Sequence, residues 1–600
     1  MRKTILSLLA ASLALTASAV PAKRGPLTIT QPDGTTMQVL LRGDEHRHIY
    51  LTLDSLPMLE GVDGFMQYAS VDTATGRVAA TGIRATSDPA LRAASERAAA
   101  AGIDAEATLR AAFADRHKAR RAVRRAPAQS GLGLFDSSFP VKGDVKAVVI
   151  LVNYKDVQFS TPNASQYFSD MLMKEGFSEY GATGSAYDYF IENSMGQFRP
   201  QFDCYGPVTL PQNRSYYGGN NVYGEDKNAE RMIADAVSLL DDEVDFSQYD
   251  TDGDGYIDNV FVFYAGMGEA SGGSSDTVWP HAYYVESGAG ITCVVDGVRL
   301  DRYACSNEWE GGKPDGIGTF VHEFSHVMGL PDLYDTEGSL TVTPDTYSVL
   351  DYGPYNNNGR TPPAYSAFER NALGWNEPHV LDGPASVSLA HIAESNESYL
   401  IPTEKTNEFF LLENRQQTGW DTYIPGHGML IWHIDYNKSV WMNNAVNNTR
   451  SHQYVDIVEA GGSANSQNSS VMRSYTFPGS KNVTSFTSTT TPALKSWAGK
   501  AIDLPVTGIK ESAGVITFDV AGGDPNSGLT DVAAAAAGFR TEGHAVVYEG
   551  EAGTAIGICD LAGRRVATAV ADASGSARVD LPAGIYIAVA GSATAKLAVR

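Results

Sequence analysis

The stretch VHEFSHVMGLPDLYD, residues 321–335, limits what this chain can fold into more than any other feature. If it forms a helix, His322 and His326 lie four residues apart on one side, so both imidazoles can reach one metal ion. Gly329 is the expected end of that helix, since glycine adopts a left-handed conformation without strain. Asp332 follows as a carboxylate ligand.

These three side chains match the needs of a catalytic zinc ion, which takes three protein ligands and keeps one position open for water. Zinc lowers the pKa of such a water to about 7 and so provides a nucleophile at neutral pH. Glu323 directly follows the first histidine and is placed to accept the water's proton. We predict His322, His326 and Asp332 as zinc ligands and Glu323 as the general base. The alternatives are a closed structural zinc site or two histidines on an ordinary surface helix.

A second candidate metal site is the acidic stretch DTDGDGYIDNVF, residues 250–261. It matches the ligand positions of an EF-hand-like calcium loop. Carboxylates stand at positions 1, 3, 5 and 9, which are Asp250, Asp252, Asp254 and Asp258, and the main-chain carbonyl of Tyr256 stands at position 7. Phe261 stands at position 12, where a glutamate is usual, so further ligands must come from elsewhere. We predict a calcium site; the alternative is an exposed turn rich in Asp and Gly.

The N-terminus, MRKTILSLLAASLALTASAVPA, has the three parts of an export signal: a basic start, a short apolar run and a small-residue cleavage site. We predict a signal peptide over residues 1–19 and a secreted or cell-surface protein. No later stretch has the roughly 18 apolar residues that a transmembrane helix needs. The formal net charge of −25 argues against a nucleic-acid partner.

Residues 20–125 are predicted to form a mixed α+β propeptide. Residues 27–41 alternate around Asp33-Gly34 and indicate a hairpin, and an Ala- and Arg-rich helix is expected from Ser87 to about Arg125. Its last part, RHKARRAVRR at residues 116–125, has six Lys or Arg and precedes the linker APAQSG. This basic run is either a solvated helix face or an accessible processing site.

The rest of the chain divides by its patterns into three further domains. A buried strand over residues 145–157 opens a domain at 140–380, short β-type runs indicate a β-sandwich at 385–520, and a small β-domain occupies 529–600. Cys293 and Cys305 flank a stretch with an Asp-Gly turn, so they form either a disulfide or a pair of reduced thiols.

Three segments, GTFVHEFSHVMGLPDLYD, PPAYSAFERNALGW and LLENRQ…GHGMLIWHID, resemble the immune inhibitor A family of secreted bacterial metalloproteases. The resemblance runs from about residue 25 to 520. It implies an α/β metzincin-like zinc protease domain, followed by all-β domains and preceded by the propeptide. It also implies His322, His326 and Asp332 as zinc ligands and Glu323 as the general base.

Metzincin-type proteases usually have a turn below the metal that carries a methionine, with a tyrosine two residues later. Here Leu350 takes the place of the methionine, and Tyr352 follows. Leucine keeps an apolar floor of similar volume. Tyr352 is predicted to bind the metal at rest and then to stabilise the oxyanion of the reaction. The alternative is a core tyrosine in an aromatic-rich region.

The end of the chain, ICDLAGRRVATAV followed by GIYIAVAGSATAKLAVR, resembles the C-terminal sorting domains of the Bacteroidetes type IX secretion route. That resemblance implies contact between residues 529–600 and a secretion machinery. The alternative is an accessory β-domain without a sorting role.

Together these features predict a secreted zinc endopeptidase that is made as a zymogen and acts on protein or peptide substrates. One rival is a catalytically inactive, calcium-stabilised surface adhesin or binding protein. Another is a different zinc hydrolase on the same helix motif, such as a glycan deacetylase. The intact Glu323 counts against the first rival, and the family resemblance counts against the second.

Overall fold

The computed structural model describes most of the chain in two compact units. The described residues are 14–15, 18–86, 103–114, 122–123, 139–221, 224–338, 342–465, 468–523, 538–542, 544–559, 564–582, 584–590 and 593–599. The first unit comprises Met1–Asp382, Leu389–Asp503 and Ile509–Ile516, and the second comprises Gly383–Ser388, Leu504–Gly508 and Thr517–Arg600. The described residues contain no helix that is both long and apolar enough to cross a membrane.

The N-terminal region of the first unit is built around a six-stranded antiparallel sheet in chain order, β3 to β8. Its strands, with two short ones before them, are β1 (Ala14–Leu15), β2 (Ser18–Ala19), β3 (Leu27–Thr30), β4 (Thr36–Gly43), β5 (His48–Leu51), β6 (Pro57–Glu60), β7 (Met66–Val71) and β8 (Val78–Arg84). The predicted hairpin is confirmed, because β3 and β4 pair across a turn in which Gly34 has a φ of 83°.

The predicted long helix is shorter in the structure. Helix α1 covers Ala105–Ala114, whereas Ala122–Val123 form a short strand, β9, that pairs with β1. The helix therefore does not extend to Arg125, since Ala122 and Val123 pair with another strand and cannot make helical hydrogen bonds. The start of the predicted helix, most of the basic run, the APAQSG linker and most of the leader lie outside the described residues.

A mixed sheet lies at the centre of the first unit. Its strands and the neighbouring short ones are β10 (Gly143–Asn153), β11 (Phe198–Thr209), β12 (Val260–Met267), β13 (His281–Tyr284), β14 (Val294–Val295), β15 (Val298–Arg299), β16 (Arg302–Glu310) and β17 (Lys313–Pro314). The order is β11–β10–β12–β16–β13–β2, with β17 paired to β16. Strands β11, β10, β12 and β16 run parallel, whereas β13 is antiparallel to both β16 and β2.

Strand β10 shows why this sheet is buried on both faces. Its sequence GDVKAVVILVN places apolar residues on alternate sides, as the pleat of a strand requires. Val149 and Leu151 belong to one hydrophobic core, while Ile150 and Val152 belong to the core on the opposite face. The predicted buried strand is thus confirmed, and it ends at Asn153.

Helices cover the two faces of the sheet. The helices of this region are α2 (Ala164–Met173), α3 (Ala186–Asn193), α4 (Arg214–Tyr217), α5 (Ala229–Leu239), α6 (Glu286–Ala289), α7 (Ile317–Val327) and α8 (Ala367–Ala372). The apolar residues of α2, α3, α7 and α8 share one core, and those of α5 belong to the other. Helix α7, which carries the HExxH motif, therefore packs in the interior.

The four cysteines are free thiols, so the disulfide alternative for Cys293 and Cys305 is wrong. The Asp-Gly turn does form a hairpin, but it joins β14 to β15. Cys305 lies beyond this hairpin in β16, where the strand pairs with β12 and β13. The two cysteines are therefore not opposite each other across the turn.

After α8, where the sequence predicts a β-sandwich at 385–520, the chain is mainly β-structure. It comprises β18 (His379–Val380), β19 (Ala385–Leu389), α9 (Ile392–Ser395), β20 (Tyr399–Pro402), β21 (Glu408–Arg415), β22 (Gly428–Asp435), α10 (Lys438–Met442), β23 (Val455–Ile457), α11 (Ser469–Met472), β24 (Val506–Ser512) and β25 (Val515–Val520). The sheet β18–β20–β21–β22–β23 contributes Leu411, Leu430 and Trp432 to the core that also contains α7. The strands β19, β25 and β24 form a three-stranded sheet.

The C-terminal part of the second unit contains two small sheets, β26–β27–β30 and β29–β28–β31–β32, whose strands are β26 (Phe539–Glu542), β27 (Ala545–Glu549), β28 (Ala555–Cys559), β29 (Arg565–Val570), β30 (Ser576–Asp580), β31 (Gly584–Ala590) and β32 (Ala593–Val599). Residues of both sheets share one hydrophobic core, to which Phe539, Tyr548 and Ile558 belong. These strands lie within residues 529–600, where the sequence predicts a small β-domain.

Candidate metal centre and cleft

Helix α7 and the turn after it place the candidate ligands. Phe320 and Phe324 pack against the rings of Phe202 and Phe261 on the central sheet, which fixes the helix in the core. The helix ends as predicted at Gly329, which has a φ of 101°. Two backbone hydrogen bonds close the end, from Gly329 N to His326 O and from Leu330 N to Ser325 O. This Schellman pairing turns the chain back toward the helix.

The turn brings the three predicted ligands together. The Nε2 atoms of His322 and His326 are 3.1 Å apart, and Asp332 Oδ1 lies 3.2 Å from each of them. These atoms belong to one of the two groups of His, Cys, Asp and Glu side chains in the described residues that could hold a metal ion. All three side chains are almost completely buried.

The contacts of the two Nδ1 atoms show which nitrogen of each histidine is available to a metal ion. His322 Nδ1 lies 2.7 Å from Val349 O, and His326 Nδ1 lies 2.8 Å from Leu330 O. A carbonyl only accepts, so each Nδ1 carries the hydrogen and each Nε2 presents a lone pair. Burial lowers the pKa of His322, which favours the neutral ring that a metal ligand needs.

Asp332 is oriented by a residue that the sequence analysis did not identify. Asn444 Oδ1 accepts a hydrogen bond from Asp332 N at 2.8 Å, and Asn444 Nδ2 donates to Asp332 Oδ2 at 2.5 Å. Burial alone would raise the pKa of Asp332, but the adjacent imidazoles hold it below its usual value. Asn444 lies 112 residues away in a stretch of several asparagines, so no sequence signal singles it out.

The donor set fits a metal ion. Asp332 Oδ1 is buried and has no hydrogen-bond donor among the described residues. The two nearest nitrogens cannot serve as donors, because their rings already donate through Nδ1. A buried carboxylate oxygen facing two nitrogen lone pairs is unfavourable without a shared cation. Two imidazoles and one carboxylate are ligands that zinc accepts.

Glu323 lies beside this centre with its carboxylate in the cleft. Its Oε1 accepts a hydrogen bond from Val20 N at 2.8 Å, and its Oε2 is buried with no hydrogen-bond partner in the part of the chain that the structure describes. Burial raises the pKa of Glu323 well above its usual value, although the bond from Val20 opposes the shift. A carboxyl group in this state can both take and release a proton, as a general acid–base group must.

The partner of Glu323 belongs to a short stretch, residues 18–24, which we call the cleft segment. It pairs through β2 with the edge strand β13, where Ala19 faces His281. Farther along, Lys23 forms an ion pair with Glu310 and Arg24 forms one with Asp345. No local pattern in the sequence indicates that this stretch lies at the metal centre.

The turn that contains Leu350 adjoins the candidate ligands. Val349 supplies the carbonyl that holds His322, and Leu350 O accepts from Leu333 N at 2.8 Å. Leu350 is fully buried in the core with α7. Tyr352 lies under the guanidinium of Arg24, whose carbon is 3.4 Å from the ring centroid. Burial raises the pKa of the Tyr352 phenol.

The structure brings together three of the predicted calcium ligands. Oxygen atoms of Asp250, Asp252 and Asp254 lie within 4.8 Å of one another. The carboxylate of Asp258 instead accepts hydrogen bonds from the amide and hydroxyl of Thr251, at 3.2 Å and 2.5 Å. Burial raises the pKa of Asp258 to about 6. Asp258 therefore does not belong to this convergent group of carboxylates.

The region that contains the metal centre is similar to known proteins. Residues 142–376 match the family model described as immune inhibitor A peptidase M6, catalytic domain. The pre-pro-metalloprotease PrtV of Vibrio cholerae serotype O1 (strain M66-2) is 24% identical over 273 residues, which cover 38% of this chain and 29% of that protein. Immune inhibitor A of Bacillus thuringiensis subsp. alesti is 26% identical over 312 residues, which cover 43% of this chain and 45% of that protein.

The chain thus spans less than half the length of the curated relatives that it matches. The family match nevertheless includes helix α7, its terminating turn and Asp332. These matches support a metalloprotease, and a metalloprotease requires a metal. Within this chain, residues 142–376 match the catalytic domain of the immune inhibitor A peptidase M6 family.

Proposed function

We propose that this chain is a zinc-dependent endopeptidase with a metzincin-like active site. The observation that carries the proposal is the Ala19–Val20 peptide bond of the full-length chain, as it stands before the predicted leader is removed. Its nitrogen donates to Glu323, next to the convergent side chains of the metal centre. The cleft therefore accommodates an extended polypeptide with a peptide bond at the general base, which is the arrangement that peptide hydrolysis requires.

His322, His326 and Asp332 would hold the zinc ion. Each has a free donor atom facing the same point, and each is oriented from behind by Val349 O, Leu330 O or Asn444. When bound there, zinc acidifies water and polarises a carbonyl group. The surrounding main chain fixes the ligands before the metal arrives, which favours a site of defined geometry.

Glu323 would move the proton. Its carboxylate takes a proton from the attacking water and later delivers it to the nitrogen of the departing amine. The contact with Val20 N places the carboxylate within hydrogen-bond distance of an amide nitrogen. The sequence predicts that Tyr352 stabilises the oxyanion, and the variant Tyr352→Phe tests this prediction.

The substrates would be proteins or peptides bound in extended form. Strand β13 pairs with β2 on the side away from β16, so in the absence of β2 it would present an unpaired edge to another chain. Addition of a strand to such an edge satisfies the main-chain hydrogen bonds of any sequence. This mode suits an endopeptidase that acts on unfolded or flexible segments.

Casein digestion with and without a zinc chelator tests the proposal, with the product peptides sequenced. We expect internal cleavage that stops with the chelator, returns on addition of zinc and is lost in Glu323→Ala, which should retain its zinc. Absence of cleavage with zinc bound would favour the inactive adhesin, and release of acetate from acetylated glycans without peptide products would favour a deacetylase.

We also propose that the protease is made as a zymogen. Residues 20–24 stay in the chain after removal of the predicted leader, and they lie in the cleft, where Val20 contacts Glu323. The predicted processing site is the basic run, after Arg121 or Arg125. N-terminal sequencing of the active secreted form should find Ala122 or Ala126 as its first residue. A start near residue 23 with full activity would show that residues 20–125 are a permanent domain.

Secretion and the calcium site complete the proposal. The leader at residues 1–19 directs export, and residues 529–600 are proposed to contact a secretion machinery. Deletion of residues 529–600 should leave the protein inside the producing cells, whereas an accessory domain could be removed without loss of secretion. Asp250, Asp252, Asp254, Tyr256 and Asp258 are proposed to bind calcium, although the carboxylate of Asp258 must then exchange its bonds to Thr251 for the ion.

A further inference from the structure

In the full-length chain, before the predicted leader is removed, both ends of the Ala19–Val20 peptide bond are held in the cleft and show how a bound peptide can lie there. Val20 N donates to Glu323 Oε1 at 2.8 Å, and the hydroxyl of Tyr334 donates to Ala19 O, also at 2.8 Å. Ala19 and Val20 are fully buried, and Tyr334 is 5% exposed. The carbonyl and the amide of the Ala19–Val20 bond therefore each have a different protein group as partner.

The next carbonyls along the cleft segment are held in a similar way. Trp279 Nε1 donates to Val20 O at 2.9 Å, and the hydroxyl of Tyr355 donates to Pro21 O at 2.6 Å. All these contacts involve main-chain atoms of the segment, so a different amino-acid sequence could make them as well. The cleft segment thus shows how an extended chain of any sequence can lie across the centre.

We propose that Tyr334 is a catalytic residue whose hydroxyl donates a hydrogen bond to the carbonyl oxygen of the scissile bond. The inference rests on the proposed function and deepens it by naming the group on the oxygen side of the bond. Glu323 acts at the other end of this bond, where it delivers a proton to the nitrogen. A donor fixed at the carbonyl oxygen gains strength as that oxygen becomes negative, and this selective gain lowers the barrier.

Hydrolysis of the peptide bond would divide the work between Glu323 and Tyr334. The oxygen of water adds to the carbonyl carbon while Glu323 takes one proton, and the π electron pair moves onto the carbonyl oxygen. Tyr334 stabilises that oxyanion through its hydrogen bond and keeps its own proton. The C–N bond then breaks, its electron pair goes to nitrogen, and nitrogen receives the proton from Glu323 as the carbonyl re-forms.

The position of Tyr334 follows from the same turn that positions Asp332. Gly329 reverses the chain, Asp332 reaches the two histidines, and Leu333 N is anchored on Leu350 O. Tyr334 comes directly after this anchor. Its hydroxyl is therefore fixed relative to the metal ligands by the main chain, as a preorganised oxyanion donor must be.

Tyr352, which the sequence predicts for this role, makes different contacts in the structure. Its ring lies under Arg24 of the cleft segment and near the ring of Tyr355, at a centroid distance of 6.5 Å. Arg24 is four residues beyond the Val20 nitrogen that contacts Glu323. The geometry thus gives Tyr334 and Tyr352 separate positions along the segment, which makes their roles experimentally separable.

The test compares Tyr334→Phe with Tyr355→Phe in the active form recovered from expression of the full chain. For Tyr334→Phe we expect kcat to fall about 100-fold or more, with KM changed less than about threefold and zinc content unchanged. Tyr355→Phe removes a similar hydrogen bond, the one to Pro21 O, which lies outside the reacting bond. This variant should therefore raise KM and change kcat little. A phosphinic peptide, which mimics the tetrahedral intermediate, should bind Tyr334→Phe more weakly by the same factor as the loss in kcat/KM.

Three results would overturn the inference: a kcat for Tyr334→Phe within threefold of the unchanged protein, a change in KM alone, or a large loss of kcat in Tyr352→Phe with Tyr334→Phe unaffected. If Tyr334→Phe does not fold or loses zinc, 3-fluorotyrosine at position 334 decides. This stronger donor should tighten the phosphinic peptide, and unchanged binding would overturn the role. Failure of the proposed function itself is distinct, since the unchanged protein would then show no Glu323-dependent cleavage.

Discussion

The two candidate metal sites of the first unit are built in opposite ways. At the centre on α7, the three candidate ligand side chains are almost completely buried, and two of them are held from behind by groups distant in the chain. His322 relies on Val349, 27 residues away, and Asp332 relies on Asn444, 112 residues away. Such a centre is formed by the whole fold and can select a metal by its geometry.

The acidic loop is local and exposed. Asp254 N and Gly255 N donate to the carboxylate of Asp250, and Tyr256 N donates to Asp254 Oδ1, so the loop satisfies its carboxylates with its own amides. Asp252 and Asp254 are exposed. A cation there would relieve repulsion between neighbouring carboxylates. We therefore expect single substitutions to weaken metal binding strongly at the buried centre and only slightly at the acidic loop.

The largest expected effect is the loss of the third ligand at the buried centre. Asp332→Ala should lose most of its bound zinc and nearly all peptidase activity, because two histidines alone leave the ion incompletely held. Metal analysis and casein digestion measure the two results.

Glu323→Gln is the matched control for Asp332→Ala. It should keep zinc but lose activity by about 10²–10⁴-fold, since only the proton carrier is removed. Full zinc occupancy with normal activity in Asp332→Ala would show that the third ligand lies elsewhere.

The next largest effect is expected at Asn444, the distant residue that orients Asp332. Asn444→Ala should weaken zinc binding by about 10–100-fold, the usual cost of removing a group that orients a ligand. Asn447→Ala is the control, because Asn447 is also buried but donates to Leu333 O and Val455 O instead of Asp332. Equal zinc affinities in the two variants, measured by competition with a chelator, would contradict a role for Asn444 in holding Asp332.

The sequence predicted the parts of the centre that depend on local geometry. The helical spacing of His322 and His326, the left-handed Gly329 and the short turn to Asp332 are all set by neighbouring residues. The convergence of these side chains in the structure follows the prediction. The buried strand β10 and the hairpin of β3 and β4 were predictable for the same reason, since periodicity and turn chemistry act over a few residues.

The remaining features depend on contacts between distant residues and could not be predicted. Asn444 is one of several asparagines in its stretch, and only the fold brings it to Asp332. The cleft segment is another case, because residues predicted as the end of a leader pair with β13. The position of Tyr334 at Ala19 O depends on this pairing. Local patterns carry no information about which distant chain will lie beside them.

A smaller effect is expected at the acidic loop. Calcium at about ten times its Kd should stabilise the folded protein by about 1.4 kcal/mol, because it binds the folded state only. The double variant Asp252→Ala with Asp254→Ala should abolish the corresponding rise in Tm. Asp241→Ala with Asp242→Ala removes the same charge from exposed positions outside the loop and should keep the rise. An unchanged calcium response in the first double variant would rule out this loop.

The smallest expected effect concerns His281 on β13, beside the buried centre. Burial lowers the pKa of His281 to about 4, and its Nδ1 donates to Trp279 O at 2.6 Å while Tyr303 donates to Nε2 at 2.6 Å. Between the usual histidine pKa of about 6.5 and this value, the unfolded chain binds a proton that the folded chain does not. Stability contributed by neutral His281 is therefore present above pH 6.5 and is lost as the pH falls toward 4. From pH 7 to pH 5.5 this loss is about 1 kcal/mol in the free energy of unfolding.

His281→Gln, compared with the unchanged residue in an inactive Glu323→Gln background, should flatten the pH dependence of the free energy of unfolding by that amount in denaturant titrations. The same pH dependence in both proteins would mean that His281 takes up its proton equally in the folded and unfolded states.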